Sequence, residues 1–212
     1  MVMWSRMFGD FLGVIFWRAF YFRIRIYGIF NSLIHMICYL RGVKIGNNVK
    51  FLGKPVIRRY PNSNISLGPN CNFNSAKHSV LEGLLRPCTF ITLRKESEII
   101  LSNNVGATGL VMVSASKILI GNNVLIGANC TIVDTDFHHP DPVARLQNTT
   151  MPTRPITIED NVFIGYNCLI LKGVTIGENS VIGANSVVVN SIPKNSIAIG
   201  NPCKLVIRKN WG

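Results

Sequence analysis

The sequence predicts an all-β fold, a parallel β-helix of triangular coils, with an N-terminal helical segment before it and a short C-terminal helical tail after it. Aliphatic residues recur at every sixth position from about Ile45 onward, and a small residue follows each of them four places later. A period of six does not fit the 3.6-residue turn of an α-helix, so the pattern favours short strands joined by corners. Three such units would make one coil of about 18 residues, whose aliphatic side chains stack on those of its neighbours.

The repeat divides the chain into three predicted parts. Residues 1–42 form the helical segment, residues 43–200 the β-helix with a loop extruded over 134–156, and residues 201–212 the tail. With 212 residues, the chain is long enough to bury a core without disulfides or metal ions as staples.

The first segment is aromatic, aliphatic and basic. Arg18, Arg23 and Arg25 interrupt it before an uncharged run of about 18 residues accumulates, which argues against a membrane-spanning helix. No small-residue cleavage site follows a short apolar stretch, so we do not expect a signal peptide. Two partners fit such an amphipathic helix: the surface of an anionic membrane, which it would meet peripherally on the inner face, or the main domain and neighbouring subunits. The apolar positions are Phe8, Phe11, Leu12, Ile15, Phe16, Ala19 and Phe20.

The clearest repeats lie between residues 158 and 193. We expect the aliphatic side chains to point to the helix axis, and Gly and Asn at the corners to supply the positive φ angles of sharp turns. Cys71, Cys130 and Cys168 fall at the small inward position, where a compact apolar side chain packs well. The residues at the equivalent aliphatic position are Ile158, Ile164, Ile170, Ile176, Ile182 and Val188.

The charge balance is strongly basic, with a net charge of +12 from 22 Lys and Arg against 10 Asp and Glu. Such a field attracts anions, including nucleic acid, acidic lipid and phosphorylated small molecules. The basic residues are scattered along the sequence and no nucleic-acid-binding motif accompanies them, so we expect no nucleic-acid partner. The six cysteines form no CxxC pair and no dense framework of the secreted kind, which favours a reducing cytoplasm.

One long insertion interrupts the repeat. The six-residue register fails after Ile132 and resumes at Ile158, and the residues between include two of the four histidines, three aspartates and four prolines. Long loops in compact folds are usually functional or disordered, and this composition indicates a stiff, shaped loop. We therefore expect it to form the wall of an active site.

Within this insertion, the run DFHHPDPVAR resembles the loop of sugar O-acetyltransferases of the maltose and nodulation-factor type, which are hexapeptide-repeat acyltransferases. The resemblance covers most of residues 43–208, and it implies a left-handed β-helix that assembles as a homotrimer. It aligns His138 with the catalytic histidine of that family. His139 stands where the family commonly has proline, so both histidines remain candidates for the base.

The reaction that the resemblance implies explains the need for a histidine. A neutral imidazole can take the proton of a sugar hydroxyl as its oxygen attacks the thioester carbonyl of acetyl-CoA. Asp134 or Asp136 could orient the ring and stabilise the imidazolium, and proximity to His138 favours Asp136. Asp134, His139 and Arg145 are further candidates for contact with the saccharide.

The same resemblance implies that CoA lies in a cleft between neighbouring subunits. Small residues there would allow the backbone to approach the pantetheine arm, and the basic residues of the run AIGNPCKLVIRK, Lys204, Arg208 and Lys209, would suit the CoA phosphates. The candidate contacts are Gly127, Tyr166, Ala184, Asn190, Lys204 and Arg208.

The function that we expect is acetyl-CoA-dependent O-acetylation of a saccharide, in the assembly of surface polysaccharide or lipopolysaccharide. The sequence leaves open N-acetylation of an amino sugar, O-acetylation of serine, and a non-catalytic trimeric scaffold. Carbonic anhydrases built on this helix bind a metal through three histidines. The four histidines here, His35, His78, His138 and His139, lack that spacing, so we expect no metal.

Overall fold

The computed structural model describes residues 11, 13–19, 22, 30–76, 83–147 and 150–208. Several positions singled out above lie outside the described residues: Phe8, Leu12, Phe20, Arg23, Arg25, His78 and Lys209.

Three sheets of short strands form the walls of a three-sided β-helix. From β1 to β18, successive strands fall on faces A, B and C in turn, and each pairs in parallel with the equivalent strands of the neighbouring coils. Face A contains β1 (Lys44–Ile45), β4 (Asn64–Leu67), β7 (Glu98–Leu101), β10 (Lys117–Ile120), β13 (Ile156–Ile158) and β16 (Thr175–Ile176). Face B contains β2 (Lys50–Leu52), β5 (Asn72–Asn74), β8 (Gly106–Thr108), β11 (Leu125–Ile126), β14 (Phe163–Ile164), β17 (Val181–Ile182), β19 (Ser196–Ile199) and β20 (Lys204–Arg208). Face C contains β3 (Val56–Arg58), β6 (Thr89–Thr92), β9 (Val111–Ser114), β12 (Thr131–Val133), β15 (Leu169–Leu171) and β18 (Val187–Val188).

The core runs along the axis of this prism. All six aliphatic residues at the equivalent repeat position, from Ile158 to Val188, are at most 1% exposed, and the three repeat cysteines are also buried. At the N-terminal end, Phe73 packs between Phe51 and Phe90, with ring centroids 5.6 and 5.1 Å away. The inward positions predicted from the period of six are therefore confirmed.

The corners confirm the prediction in part. Positive φ angles occur at the asparagines of the repeat, such as Asn167 (54°) and Asn185 (59°), and at Gly173 (80°), but not at the glycines in the second place of the repeat, such as Gly127. The glycines are needed for space: a Cβ on Gly127 would lie 2.7 Å from the backbone carbonyl carbon of Gly165 in the next coil. The corner amides also hydrogen-bond from coil to coil, as from Asn167 Nδ2 to Asn185 Oδ1 at 2.9 Å.

A helix, α1 (Asn31–Leu40), covers the open end of the first coil. The backbone N–H of Phe51 donates to Asn31 Oδ1 at 2.8 Å, and His35 Nε2 lies 2.8 Å from the carbonyl oxygen of Val49. Residues 11, 13–19 and 22 are also helical. None of the helices in the described part of the chain is long and apolar enough to cross a membrane.

The C-terminal tail corrects one prediction, because β20 is a strand where a helix was expected. It pairs antiparallel with β19, the last strand of face B. The run Leu205-Val206-Ile207 favours a strand, and β19 offers it the unpaired backbone groups of a sheet edge. The tail therefore closes face B instead of leaving it.

The strict alternation of inward and outward residues can be tested at neighbouring positions. Ile126 is 1% exposed and Leu125 is 55% exposed. We expect Ile126→Ala to lower the free energy of unfolding by about 2–5 kcal/mol, because it leaves a cavity in the core. The matched change Leu125→Ala should cost less than about 1 kcal/mol. Denaturant unfolding of both variants measures the difference, and equal losses would contradict this orientation of β11.

Candidate active site at two edges of the prism

The long insertion leaves the prism at the edge between faces C and A, hereafter the CA edge. It spans residues 134–155, between β12 and β13, and contains one short helix, α2 (Pro142–Leu146). Asp141 caps this helix by accepting a hydrogen bond from the backbone N–H of Ala144 at 2.8 Å. Pro142 at the first helical position suits this start, since its missing N–H would have no partner there.

Asp134 anchors the beginning of the loop. It is completely buried, and its carboxylate accepts hydrogen bonds from Ser114 Oγ (2.6 Å), Ala115 N (2.7 Å) and Ser116 N (2.9 Å) in the preceding coil. A carboxylate that is buried and bonded in this way has no exposed oxygen for a ligand. The geometry therefore favours a structural role for Asp134 over the contact with saccharide that we expected from the sequence.

The loop is also tied to the coils on either side. The carboxylate of Asp136 pairs with the ammonium group of Lys172, which follows β15 in the next coil. The backbone N–H of Asp136 donates to the carbonyl oxygen of Pro152 at 3.2 Å, so the two ends of the loop are joined. Arg94 donates to the carbonyl oxygen of Met151 at 3.3 Å. Lys172 could not be identified from the sequence, because its partner Asp136 becomes its neighbour only after the coils have stacked.

The two histidines differ in their surroundings. His138 is exposed, and within the described residues its imidazole makes no hydrogen bond. His139 is half-buried, and its Nδ1 lies 3.1 Å from the backbone N–H of Asp141. Arg145 donates to the carbonyl oxygens of His139 (3.1 Å) and Pro140 (3.3 Å). His138 therefore has the free imidazole, whereas His139 and Arg145 shape the loop.

Three of the candidate CoA contacts lie at a different edge, between faces B and C, hereafter the BC edge. Gly127, Tyr166 and Ala184 occupy this edge in three successive coils, where the backbones of Asn167 and Asn185 bond to the preceding coil. Tyr166 is half-buried, and its hydroxyl accepts from Asn129 Nδ2 at 3.3 Å. Ala184 is exposed.

A second excursion from the repeat, which the sequence analysis missed, covers part of the BC edge. Residues 83–87 fold over Asn129, which is buried, accepts from the backbone N–H of Leu85 (3.0 Å) and donates to the carbonyl oxygen of Gly83 (3.0 Å). Arg86 reaches the carbonyl oxygen of Asn129 (2.9 Å) and Thr131 Oγ1 (2.6 Å). The lapse of the six-residue rhythm between the repeats at Leu67 and Leu101 could have located this excursion, but its composition gave no sign that it folds over the BC edge.

The remaining candidates are divided between the two edges. Asn190 is exposed and follows β18 at the CA edge, close along the chain to where face A resumes. Lys204 is exposed at the start of β20 on face B, and the backbone of Arg208 ends that strand. The CA and BC edges are separated by the width of face C, roughly 15 Å for a strand of about five residues. Within one protomer, the loop that carries His138 therefore leaves the prism at a different edge from the one that Gly127, Tyr166 and Ala184 occupy.

An open recess of about 460 Å³ on face A does not suit CoA. Its walls include Ile100, Leu119 and the carboxylates of Glu159, Asp160 and Glu178. Side-chain and backbone hydrogen bonds from Asn122 lower the pKa of Asp160, so this group is charged at neutral pH. Three carboxylates would repel the phosphates of CoA.

Neither thiol chemistry nor a metal centre is indicated in the described residues. All six cysteines are buried and free. Burial raises the pKa of Cys38 to about 11, whereas a side-chain hydrogen bond with Cys130 lowers the pKa of Cys168 to about 7, but Cys168 is only 2% exposed. No group of three His, Cys, Asp or Glu side chains in the described ranges converges as metal ligands would.

Comparison with known proteins agrees with the fold and the repeat. The family model "Hexapeptide repeat of succinyl-transferase" matches residues 117–133 and 155–190, on either side of the insertion. The galactoside O-acetyltransferase of Escherichia coli is 45% identical over 97 residues, which are 46% of this chain and 47% of that protein. A putative acetyltransferase of Saccharomyces cerevisiae is 46% identical over 114 residues, which are 53% of this chain and 57% of that protein. Over the coils on either side of the insertion, the chain is therefore similar to hexapeptide-repeat transferases and to sugar O-acetyltransferases.

Two solved structures share the fold of this chain. A maltose O-acetyltransferase from Clostridium difficile superimposes with a TM-score of 0.56 and 24% identity, over 95% of this chain and 90% of that one. An N-acyltransferase from Bacillus cereus superimposes with a TM-score of 0.64 and 18% identity, over 83% of this chain and 88% of that one. At these identities the likeness concerns the fold. This chain spans about half the length of the curated relatives that it matches.

The anchoring role of Asp134 predicts a large loss of stability on its removal. Asp134→Ala would leave the backbone N–H groups of Ala115 and Ser116 buried without partners, and each such group costs about 1–3 kcal/mol. We expect the free energy of unfolding to fall by more than about 3 kcal/mol, with a smaller loss for Asp134→Asn, which keeps one acceptor oxygen. Denaturant unfolding measures both, and an unchanged stability in Asp134→Ala would contradict this role.

Proposed function

We propose that this chain is an acetyl-CoA-dependent O-acetyltransferase that acts on a saccharide hydroxyl. The observation that carries the proposal is the exposed, unbonded imidazole of His138 on a loop that is anchored at both ends. The galactoside O-acetyltransferases that share nearly half of the chain support the class of acceptor.

In the proposed reaction His138 is the general base. Its neutral imidazole removes the proton of the acceptor hydroxyl as the oxygen attacks the thioester carbonyl carbon. The tetrahedral intermediate collapses with cleavage of the C–S bond, and the imidazolium returns the proton to the departing thiolate. The products are the O-acetyl saccharide and free CoA, and the histidine ends in its starting state.

Asp136 acts in this proposal as a positioning residue. Its carboxylate pairs with Lys172, and that pair holds the start of the loop against the next coil. The ion pair is partly shielded from water, with side-chain exposures of 35% for Asp136 and 21% for Lys172. The ion pair therefore limits the positions that the backbone of His138, two residues later, can adopt. Within the described ranges, Asp136 makes no direct hydrogen bond to the imidazole of His138.

The complete site is proposed to form between subunits. In a cyclic homotrimer each subunit meets its neighbours through two different surfaces. The CA edge of one subunit, with His138, would then face the BC edge of the next, with Tyr166 and Ala184. This arrangement explains why the candidate residues occupy two edges of one protomer.

We place the reaction in the assembly of surface polysaccharide or lipopolysaccharide, with peripheral contact between the N-terminal segment and the inner face of the membrane. The exposed apolar side chains of the first helical residues support the contact, since Phe16 and Trp17 are 73% and 60% exposed. Apolar side chains beside basic ones are the composition of helices that lie in a membrane surface.

The proposed base is tested by two neighbouring substitutions. We expect His138→Ala to lower kcat for acetyl transfer to a galactoside or maltose about 100- to 10,000-fold, because the general base is lost. His139→Ala is the matched control and should retain activity within about 10-fold. Thiol release from acetyl-CoA measures both rates, and full activity of His138→Ala would refute the proposed mechanism.

The site shared between subunits is tested by mixing two inactive variants. His138→Ala disables the CA edge, and Ala184→Trp should block the BC edge, where this side chain is exposed. Random co-assembly in a cyclic trimer should restore roughly a quarter of the wild-type activity, because a site needs one intact edge from each neighbour. Each variant alone should be inactive, and a mixture that stays inactive would contradict a shared site.

A further inference from the structure

The basic residues are scattered along the sequence, but the net positive charge is concentrated in its first part. Between residues 11 and 81 the chain carries ten basic residues and no acidic one. Residues 82–212 carry eleven basic and nine acidic residues, so their charges nearly cancel. Nearly all of the net charge of +12 therefore belongs to the N-terminal segment and the first coils.

Four exposed cations surround the first coil, and we name them the basic collar. Lys44 points outward from face A, Lys50 from face B and Arg58 from face C, and Lys54 is exposed at the BC edge. None of the ion pairs among the described residues includes a collar residue. The collar is thus a ring of unpaired positive charges around the end of the prism.

Helix α1 adds an apolar surface at the same end. Its inner side buries Ile34 and Cys38 on the first coil. Its outer side presents an apolar row with helical spacing, in which the exposed fractions are 47% for Leu33, 53% for Met36, 80% for Tyr39 and 74% for Leu40. Beside this row, a recess lined by Phe30, Leu33, Ile34, Ile37, Gly53 and Lys54 opens between the helix and the first coil.

The geometry points to a docking surface for an anionic lipid bilayer, formed by the basic collar and the apolar row of α1, with the β-helix axis standing upright on the membrane. The collar residues lie on all three faces of one coil, so a prism lying on its side would leave some of them facing away. Only the upright orientation brings all four cations close to the plane of the membrane surface. There they lie within the Debye length of about 8 Å, over which charges interact at physiological salt.

The charge distribution favours lipid over a second copy of the chain at this end. Two copies docked end to end would bring two collars together, and residues 11–81 contain no carboxylate to offset them. An anionic membrane surface instead attracts each Lys or Arg, and each contributes roughly a 5-fold gain in binding. Apolar side chains at the same end can then enter the headgroup region.

Vesicle sedimentation of the full chain tests the collar. We expect binding to vesicles of phosphatidylcholine with about 30% phosphatidylglycerol, little binding to phosphatidylcholine alone, and release in about 1 M salt. The triple variant Lys44→Gln, Lys50→Gln, Lys54→Gln should bind roughly 100-fold more weakly. The matched control Lys95→Gln, Lys117→Gln, Lys194→Gln removes the same charge from other coils and should bind within about 3-fold of wild type. Equal losses in the two triple variants would overturn the proposal.

Single substitutions test the upright orientation. Lys44→Gln, Lys50→Gln and Arg58→Gln each remove one cation from a different face, and each should weaken binding by roughly 5-fold. A large loss for one face and none for the other two would mean that the prism lies on its side, and the upright model would be wrong.

The double variant Met36→Ser, Leu40→Ser tests the apolar row. We expect weaker vesicle binding with an unchanged molar mass by light scattering. A lower mass with unchanged vesicle binding would assign the row to a subunit interface and overturn the docking surface.

The inference deepens the proposed membrane contact but does not depend on the proposed reaction. The collar variants should therefore acetylate a soluble acceptor at the wild-type rate, and failure of one proposal can be told from failure of the other.

Discussion

The stacking of each coil on its neighbours in strict register is the constraint on which the rest of this structure depends. Ile126 pairs with Ala107 in the coil before it and with Ile164 in the coil after it, and all three side chains lie in the core. No coil has a hydrophobic core of its own, so an extra residue within a strand would move inward side chains outward on that face. Insertions are therefore tolerated only at the edges, where the chain can leave and return in register. The chain leaves the repeat at edges, after β5 at the BC edge and after β12 at the CA edge.

This constraint also explains which parts of the fold could be predicted. The inward positions repeat with a fixed period, so the walls and the core could be identified residue by residue. The corner glycines could not be interpreted correctly, because what limits them is the backbone of the next coil, as at Gly127 and Gly165, and sequence spacing does not reveal that distance. The tail was mispredicted for a similar reason: β20 forms a strand because the edge of β19 is available to it.

The sequence predicted which loop carries the candidate site, but not how the residues of that site lie relative to one another. The break in the register and the histidine pair identified the loop, because both are visible along the chain. The partners that hold the loop come from other coils, as with Ser114 for Asp134 and Lys172 for Asp136, and only stacking brings them together. The candidate residues occupy two edges because the three-sided coil separates residues that follow face B from residues that follow face C, and this separation is not visible in the sequence. The loop that carries His138 and the corner that holds Tyr166 start from opposite ends of face C even though they belong to neighbouring coils.

The upright orientation places a limit on the acceptor. His138 follows β12, three coils beyond β3 in the first coil, and parallel strands are spaced by about 4.8 Å, so the start of its loop lies roughly 14 Å from the basic collar. Because α1 itself enters the headgroup region in this proposal, it adds no further distance between the collar and the membrane surface. In this orientation, a base held roughly 14 Å above the membrane surface lies beyond the reach of a first sugar attached directly to a lipid phosphate. It is well placed for a sugar further along a lipid-linked oligosaccharide, because such a chain can extend beside the prism from the membrane to the CA edge. The orientation therefore favours acetylation late in the assembly of the acceptor, after several sugars have been added.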